Sequence, residues 1–159
     1  MKKILIAIDD TKGSLQAVEV LKNLLGDCSG CGCMPETIVL VYVKKPGGRS
    51  VMSDLLLSTS EMKTLQESLK GTPYQTQMDQ RAELVLNHFN DILEKQGFTG
   101  IKPLATQGHP AEEILRAAKD EDVEMIVIGS RGKRLHNLWM GSISREVANN
   151  ADVAVLIAK

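Results

Sequence analysis

The apolar positions along this chain fall into short unbroken runs separated by stretches of helical spacing. "KILIAI" (Lys3 to Ile8) is the first run and stops at Asp9 and Asp10. "TIVLVYV" (Thr37 to Val43), "IKPLATQ" (Ile101 to Gln107), "VEMIVIG" (Val123 to Gly129) and "DVAVLIA" (Asp152 to Ala158) follow. Runs this short and this apolar predict strands covered on both faces, as in parallel sheets. Pro103 marks the third as an edge strand, because proline withholds an N–H from the ladder.

The intervening stretches predict helices. Leu15, Val18, Leu21 and Leu25 recur at helical spacing up to Gly26. Asp79 is a candidate N-cap for a stripe of Ala82, Val85, Leu86, Phe89 and Leu93 that Gly97 terminates. "GHPAEEILRAAKDED" opens with Pro110 in its first turn, with Glu112 and Glu113 at the positive end of the dipole. A short helix runs from about Ser142 to Asn150. Lys44 to Gln77 has broken periodicity and many Pro, Gly, Ser and Thr residues. It reads as a mobile excursion from a single domain spanning 1–159.

Alternating strands and helices specify an α/β fold: a doubly wound, five-stranded parallel sheet of order 3-2-1-4-5 with helices on both faces. Such sheets bind ligands beyond the carboxyl ends of their strands, where strand order reverses. Two segments there carry suitable chemistry, Asp9-Asp10-Thr11 after the first strand and Gly129 to Ser144 after the fourth.

Composition narrows the function. A length of 159 residues, 43% hydrophobic residues and a net charge of -1 fit an ordinary soluble domain. No basic excess points to nucleic acid. The apolar runs are too short to span a membrane, and the N-terminus lacks a signal-peptide pattern, so a cytoplasmic address is expected. Cys28, Cys31 and Cys33 cluster in one loop. They read as free thiols rather than a zinc site, which usually has two spaced ligand pairs, and no metal site is expected.

The stretch "GSRGKRLHNLWMGSIS" (Gly129 to Ser144) carries the strongest local chemistry. Gly129 and Gly132 permit a tight turn and close backbone approach. Gly141-Ser142 opens a helix whose first N–H groups lack internal partners and favour an anion, although Ser142 also reads as an ordinary N-cap. Ser142 and Ser144 add hydroxyls; Arg131, Lys133 and Arg134 add positive charge. No Ser–His–Asp order, His-rich metal motif or Gly-Lys-Ser/Thr P-loop is present. No catalytic residue is assigned, and His136 reads as a solvated loop residue.

"KILIAIDDT", "TIVLVYV", "GHPAEEIL", "MIVIGSRG", "GSISREV" and "ADVAVLIAK" together resemble the universal stress proteins over almost the whole chain. The resemblance implies an adenine nucleotide alpha hydrolase-like fold and an adenosine pocket for ATP, AMP or ADP, with Mg carried on the phosphates. By that resemblance Asp9, with Asp10 and Thr11 beside it, contacts ribose or adenine, and Val43 contacts adenine. Ile128 packs under the ribose. Gly129, Arg131, Gly132, Gly141, Ser142, Ile143 and Ser144 hold the phosphates. It also implies a homodimer through the C-terminal strand. The segment Lys133 to Met140 has eight residues where the family's nucleotide-binding motif has nine. Three functions therefore stay open: a nucleotide-binding stress or regulatory protein, a scaffold that binds no nucleotide, and a slow ATP hydrolase or autophosphorylating protein. Asp9 has an alternative role as a cap of the following helix.

Overall fold

A computed structural model of the chain describes residues 2–26, 34–45, 60–61, 64, 67–68, 70–130 and 140–159. The elements in chain order are β1 (Lys3–Ile8), α1 (Lys12–Gly26), β2 (Thr37–Lys44), α2 (Pro73–Lys95), β3 (Ile101–Gln107), α3 (Pro110–Asp120), β4 (Met125–Gly129), α4 (Ser142–Asn150) and β5 (Ala154–Ala158). The five strands form one parallel sheet in the order β3-β2-β1-β4-β5. The edge position foreseen for the Pro103 strand is the one β3 takes.

Side-chain alternation divides the core into two layers. Ile4, Ile6, Ile38, Leu40 and Val127 face α1 and α2, where they meet Val18, Leu21, Leu86, Phe89 and Leu93. Leu5, Val39, Val41, Ile126 and Ile128 face α3 and α4, where they meet Ala111, Ile114, Ala117 and Val147. Each buried Ile or Leu contributes about 1.5–3 kcal/mol by leaving water. The central strands are apolar throughout because both faces are covered.

The sequence pattern needs four corrections. Asp79 does not cap α2. The N-cap is Thr72, whose side chain accepts from the Gln75 N–H, and Pro73 occupies the first turn. The helix thus starts inside the stretch whose periodicity is broken, since proline loses nothing where the N–H has no intrahelical partner. Pro73 to Gln77, read as the end of the excursion, belong to α2 instead, and residues 46–59, 62–63, 65–66 and 69 of that segment lie outside the described ones. Leu15 is 45% exposed while Ala17, Val18, Leu21 and Leu25 are buried, because Ser14 takes the inward position in the first turn of α1. At α4 the N-cap is Gly141, and Ser142 is the first helical residue.

The end foreseen for α2 matches the structure. Gly97 adopts φ +88°. That left-handed turn lets the Phe98 N–H reach the Leu93 carbonyl at 3.1 Å and brings the buried Phe98 ring into the core with Leu93.

Candidate functional site at the carboxyl ends of β1 and β4

β1 and β4 are neighbours, with Ala7 opposite Ile128. The chain leaving β1 at Asp9 and the chain leaving β4 at Gly129 therefore emerge at the same edge of the sheet. This is the strand-order switch, since β2 lies on one side of β1 and β4 on the other.

On the β1 side, Asp9 organises the entry to α1. Its N–H donates to Ser14 Oγ at 2.7 Å, and the Ser14 hydroxyl donates back to Asp9 Oδ1 at 2.7 Å. The Thr11 N–H donates to the same oxygen at 2.9 Å, as does the Thr11 hydroxyl. Asp9 thus performs the helix-entry role, and the three bonds its side chain accepts from Thr11 and Ser14 fall on Oδ1. Asp10 forms an ion pair with Arg81 of α2.

On the β4 side, Gly129 passes directly over the backbone of α1. A Cβ at Gly129 would stand 2.5 Å from the Gly13 carbonyl oxygen. Beyond it, the buried Ser130 fixes the turn. Its N–H donates to the Ala158 carbonyl of β5 at 2.6 Å. Its own carbonyl accepts from the Gly141 N–H at 2.7 Å. That bond closes the base of the intervening segment and sets where α4 begins. The Ser144 hydroxyl lies 3.3 Å from the Ser130 carbonyl and 3.1 Å from the Gly141 carbonyl, and so donates back into the turn.

Gly141 brings no side chain to cap α4. The N–H groups of Ser142, Ile143 and Ser144 lie in the first turn of α4, where the helix itself offers them no acceptor. Ser142 is exposed, and Ile143 packs against the α3-side layer. Arg131 and Gly132 lie outside the described residues, as do Lys133, Arg134, His136 and the three cysteines. Val43 and Ile128 belong to the same apolar layer under α3. Among the described residues, no group of three or more His, Cys, Asp or Glu is placed to hold a metal ion, and no helix is long and apolar enough to cross a membrane.

Sequence reasoning missed four contributors. Ser14 could have been found, since a hydroxyl one turn into a helix after an aspartate often bonds back to it. Tyr42 was also legible. Alternation places it on the opposite face of β2 from Val43, with its hydroxyl at the carboxyl end. Burial pushes its phenol above the usual tyrosine range, and the Asp9 charge adds to the effect. Gly13 and Ser130 carry no local signal, because their roles exist only once β4 lies across α1.

Known proteins share this fold. A family model described as "Universal stress protein family" matches residues 1–159. The curated universal stress protein MJ0577 of Methanocaldococcus jannaschii is 28% identical over 128 residues, covering 78% of this chain and 77% of that protein. A solved structure of hypothetical protein MJ0577 superposes with a TM-score of 0.75 at 25% identity, covering 99% of this chain and 95% of the other. The universal stress protein of Archaeoglobus fulgidus in complex with dAMP has the same fold, with a TM-score of 0.61, 19% identity and coverage of 100% and 98%. So does an Arabidopsis thaliana family protein with AMP bound, with a TM-score of 0.63, 14% identity and coverage of 100% and 92%. With its sheet order and a family match from end to end, the chain belongs to the universal stress protein family.

Proposed function

We propose that this protein binds an adenine nucleotide, ATP or its AMP or ADP forms, at the carboxyl ends of β1 and β4, and works as a cytoplasmic stress-response regulator. The observation that carries this reading is the Ser130–Gly141 closure at 2.7 Å. It brings the start of α4 to the carboxyl end of β4, the neighbour of β1 in the sheet. The anion end and the nucleoside end of one ligand would then rest on different elements. The N–H groups of Ser142, Ile143 and Ser144 would hold phosphate oxygens, joined by Gly129, Arg131, Gly132 and Gly141 from the adjoining segment. Val43 and Ile128 would supply apolar contact to base and sugar, and Asp9, with Asp10 and Thr11, would orient them. Mg²⁺ would ride on the phosphates, as that ion commonly does. The family members solved with dAMP and AMP support the choice of adenine.

A second reading is a scaffold that binds no nucleotide. The eight-residue segment Lys133 to Met140 favours it, as do the Asp9 and Ser144 side-chain bonds spent within the chain. The deciding experiment denatures freshly purified protein, identifies any nucleotide released, and titrates the emptied protein with Mg-ATP and AMP by calorimetry. Release of an adenine nucleotide or saturable heat supports binding. No release and no heat at millimolar ligand supports the scaffold. Turnover of bound ATP would instead identify a slow hydrolase. We also propose a homodimer through β5, the sheet edge opposite β3.

A further inference from the structure

Two buried polar atoms on the α3–α4 face have no hydrogen-bond partner among the described residues: Thr106 Oγ1 and His109 Nδ1. Leaving such atoms unpaired is costly, which makes them candidates for a ligand contact. Thr106 lies near the carboxyl end of β3, in register with Val43. Leu104, two residues earlier, packs in the α3-side layer, so strand alternation turns Thr106 to that same face. His109 is the N-cap of α3 but makes no capping bond with its side chain. Its Nδ1 instead lies 3.8 Å from Glu146 Oε1 of α4, beyond hydrogen-bond reach. Helix side chains lean toward the N-terminus, so Glu146 extends toward the first turn of α4. The imidazole is therefore held next to the turn in which Ser142 to Ser144 present their N–H groups.

The surrounding charge decides the ligand chemistry. Glu146 beside the imidazole disfavours an anion at that one point, while Glu113 of α3 is paired with Arg116. A carboxylate, an imidazole and a hydroxyl suit a neutral group with hydroxyls that both donate and accept. On a nucleotide whose phosphates lie at the start of α4, the next such group is the sugar. We infer that His109, backed by Glu146 and neighboured by Thr106, is a specificity residue for the ribose hydroxyls. This rests on the nucleotide-binding reading above.

The test compares affinities for AMP, 2′-deoxy-AMP and 3′-deoxy-AMP by calorimetry in the wild type, His109→Phe and His109→Asn. Wild type should prefer AMP over at least one deoxy analogue by roughly five- to tenfold, the worth of one net hydrogen bond. His109→Phe should erase that preference by weakening AMP alone. Asparagine is a good N-cap and carries an amide close to the position of Nδ1, so His109→Asn should fold at least as stably and retain part of the preference. Equal wild-type affinity for all three ligands overturns the inference and leaves nucleotide binding standing. An unchanged preference in His109→Phe also overturns it. Failure of AMP to bind the wild type at all overturns both readings.

Discussion

Gly129 crosses α1 so closely that a Cβ there would stand 2.5 Å from the Gly13 carbonyl oxygen and 2.9 Å from its Cα. Both clashing groups are backbone at the buried start of α1, which cannot swing aside as a side-chain tip can. Gly129→Ala should therefore push β4 and α1 apart. The expected loss is about 1–3 kcal/mol, the usual cost of overpacking. Urea denaturation of the variant should show a lower midpoint with an unchanged slope. Because this contact also aims the chain toward Ser130, nucleotide affinity should fall with stability. A wild-type midpoint would show that the two backbones are not in tight contact.

Ser144 offers a cleaner probe of the same turn. Its hydroxyl is buried and lies within reach of two carbonyls, Ser130 and Gly141. Ser144→Ala removes that donor without altering the backbone. A net cost of about 1 kcal/mol follows from one lost internal hydrogen bond. Ser144→Thr keeps the hydroxyl and should recover part of the loss. If the hydroxyl instead served only a bound phosphate, Ser144→Ala would lower nucleotide affinity and leave the unliganded protein's denaturation midpoint unchanged.

The strands and their order were legible because burial on both faces leaves unbroken apolar runs such as Leu5-Ile6 and Val39-Leu40-Val41. The α2 stripe and its Gly97 stop were legible for the same reason, since periodicity reports the buried face. The start of α2 was not. Proline in "GTPYQ" signals equally a break or a first turn, and only the Thr72 cap decides between them. At the site, Gly129 was singled out for ligand approach, whereas its tightest neighbour is Gly13. Ser130 escaped notice because its importance comes from Ala158 and Gly141, both distant in sequence. The glycines and hydroxyls that contact a ligand look the same in sequence as those that hold the turn.

Tyr42 gives a pH-dependent test. Burial raises its ionisation first, and the Asp9 charge raises it further. Absorbance titration of the phenolates should show one of the two tyrosines ionising above the usual value of about 10. Asp9→Asn should bring that tyrosine part of the way back, because the larger cause, burial, remains. In the unfolded chain Tyr42 ionises at the ordinary value, so the folded state binds its proton more tightly. The resulting stabilisation is complete below pH ~10 and is lost as pH rises through the folded value. Two tyrosines titrating together in the ordinary range would contradict the placement of Tyr42.

The edge strand β5 tests the proposed assembly. It pairs with β4 on one side only. The opposite edge, β3, is blunted by Pro103, but β5 carries Val155, Leu156 and Ile157 with no proline and no charge between Ala154 and Ala158. All three are only partly buried in the single chain. An apolar edge of this kind invites pairing with another chain. Two identical edges related by a two-fold axis pair antiparallel, each residue finding its counterpart twice. Val155→Lys places a charge on that edge while leaving the sequences of the other four strands unaltered. The variant should run as a monomer in light scattering at tens of micromolar, where an interface with a Kd near ~1 μM or tighter keeps the unmodified protein dimeric. Its far-ultraviolet circular dichroism should match that of the unmodified protein. An unmodified protein that is itself monomeric at that concentration rules out the β5 pairing, and a Val155→Lys variant that stays dimeric moves the interface to another face.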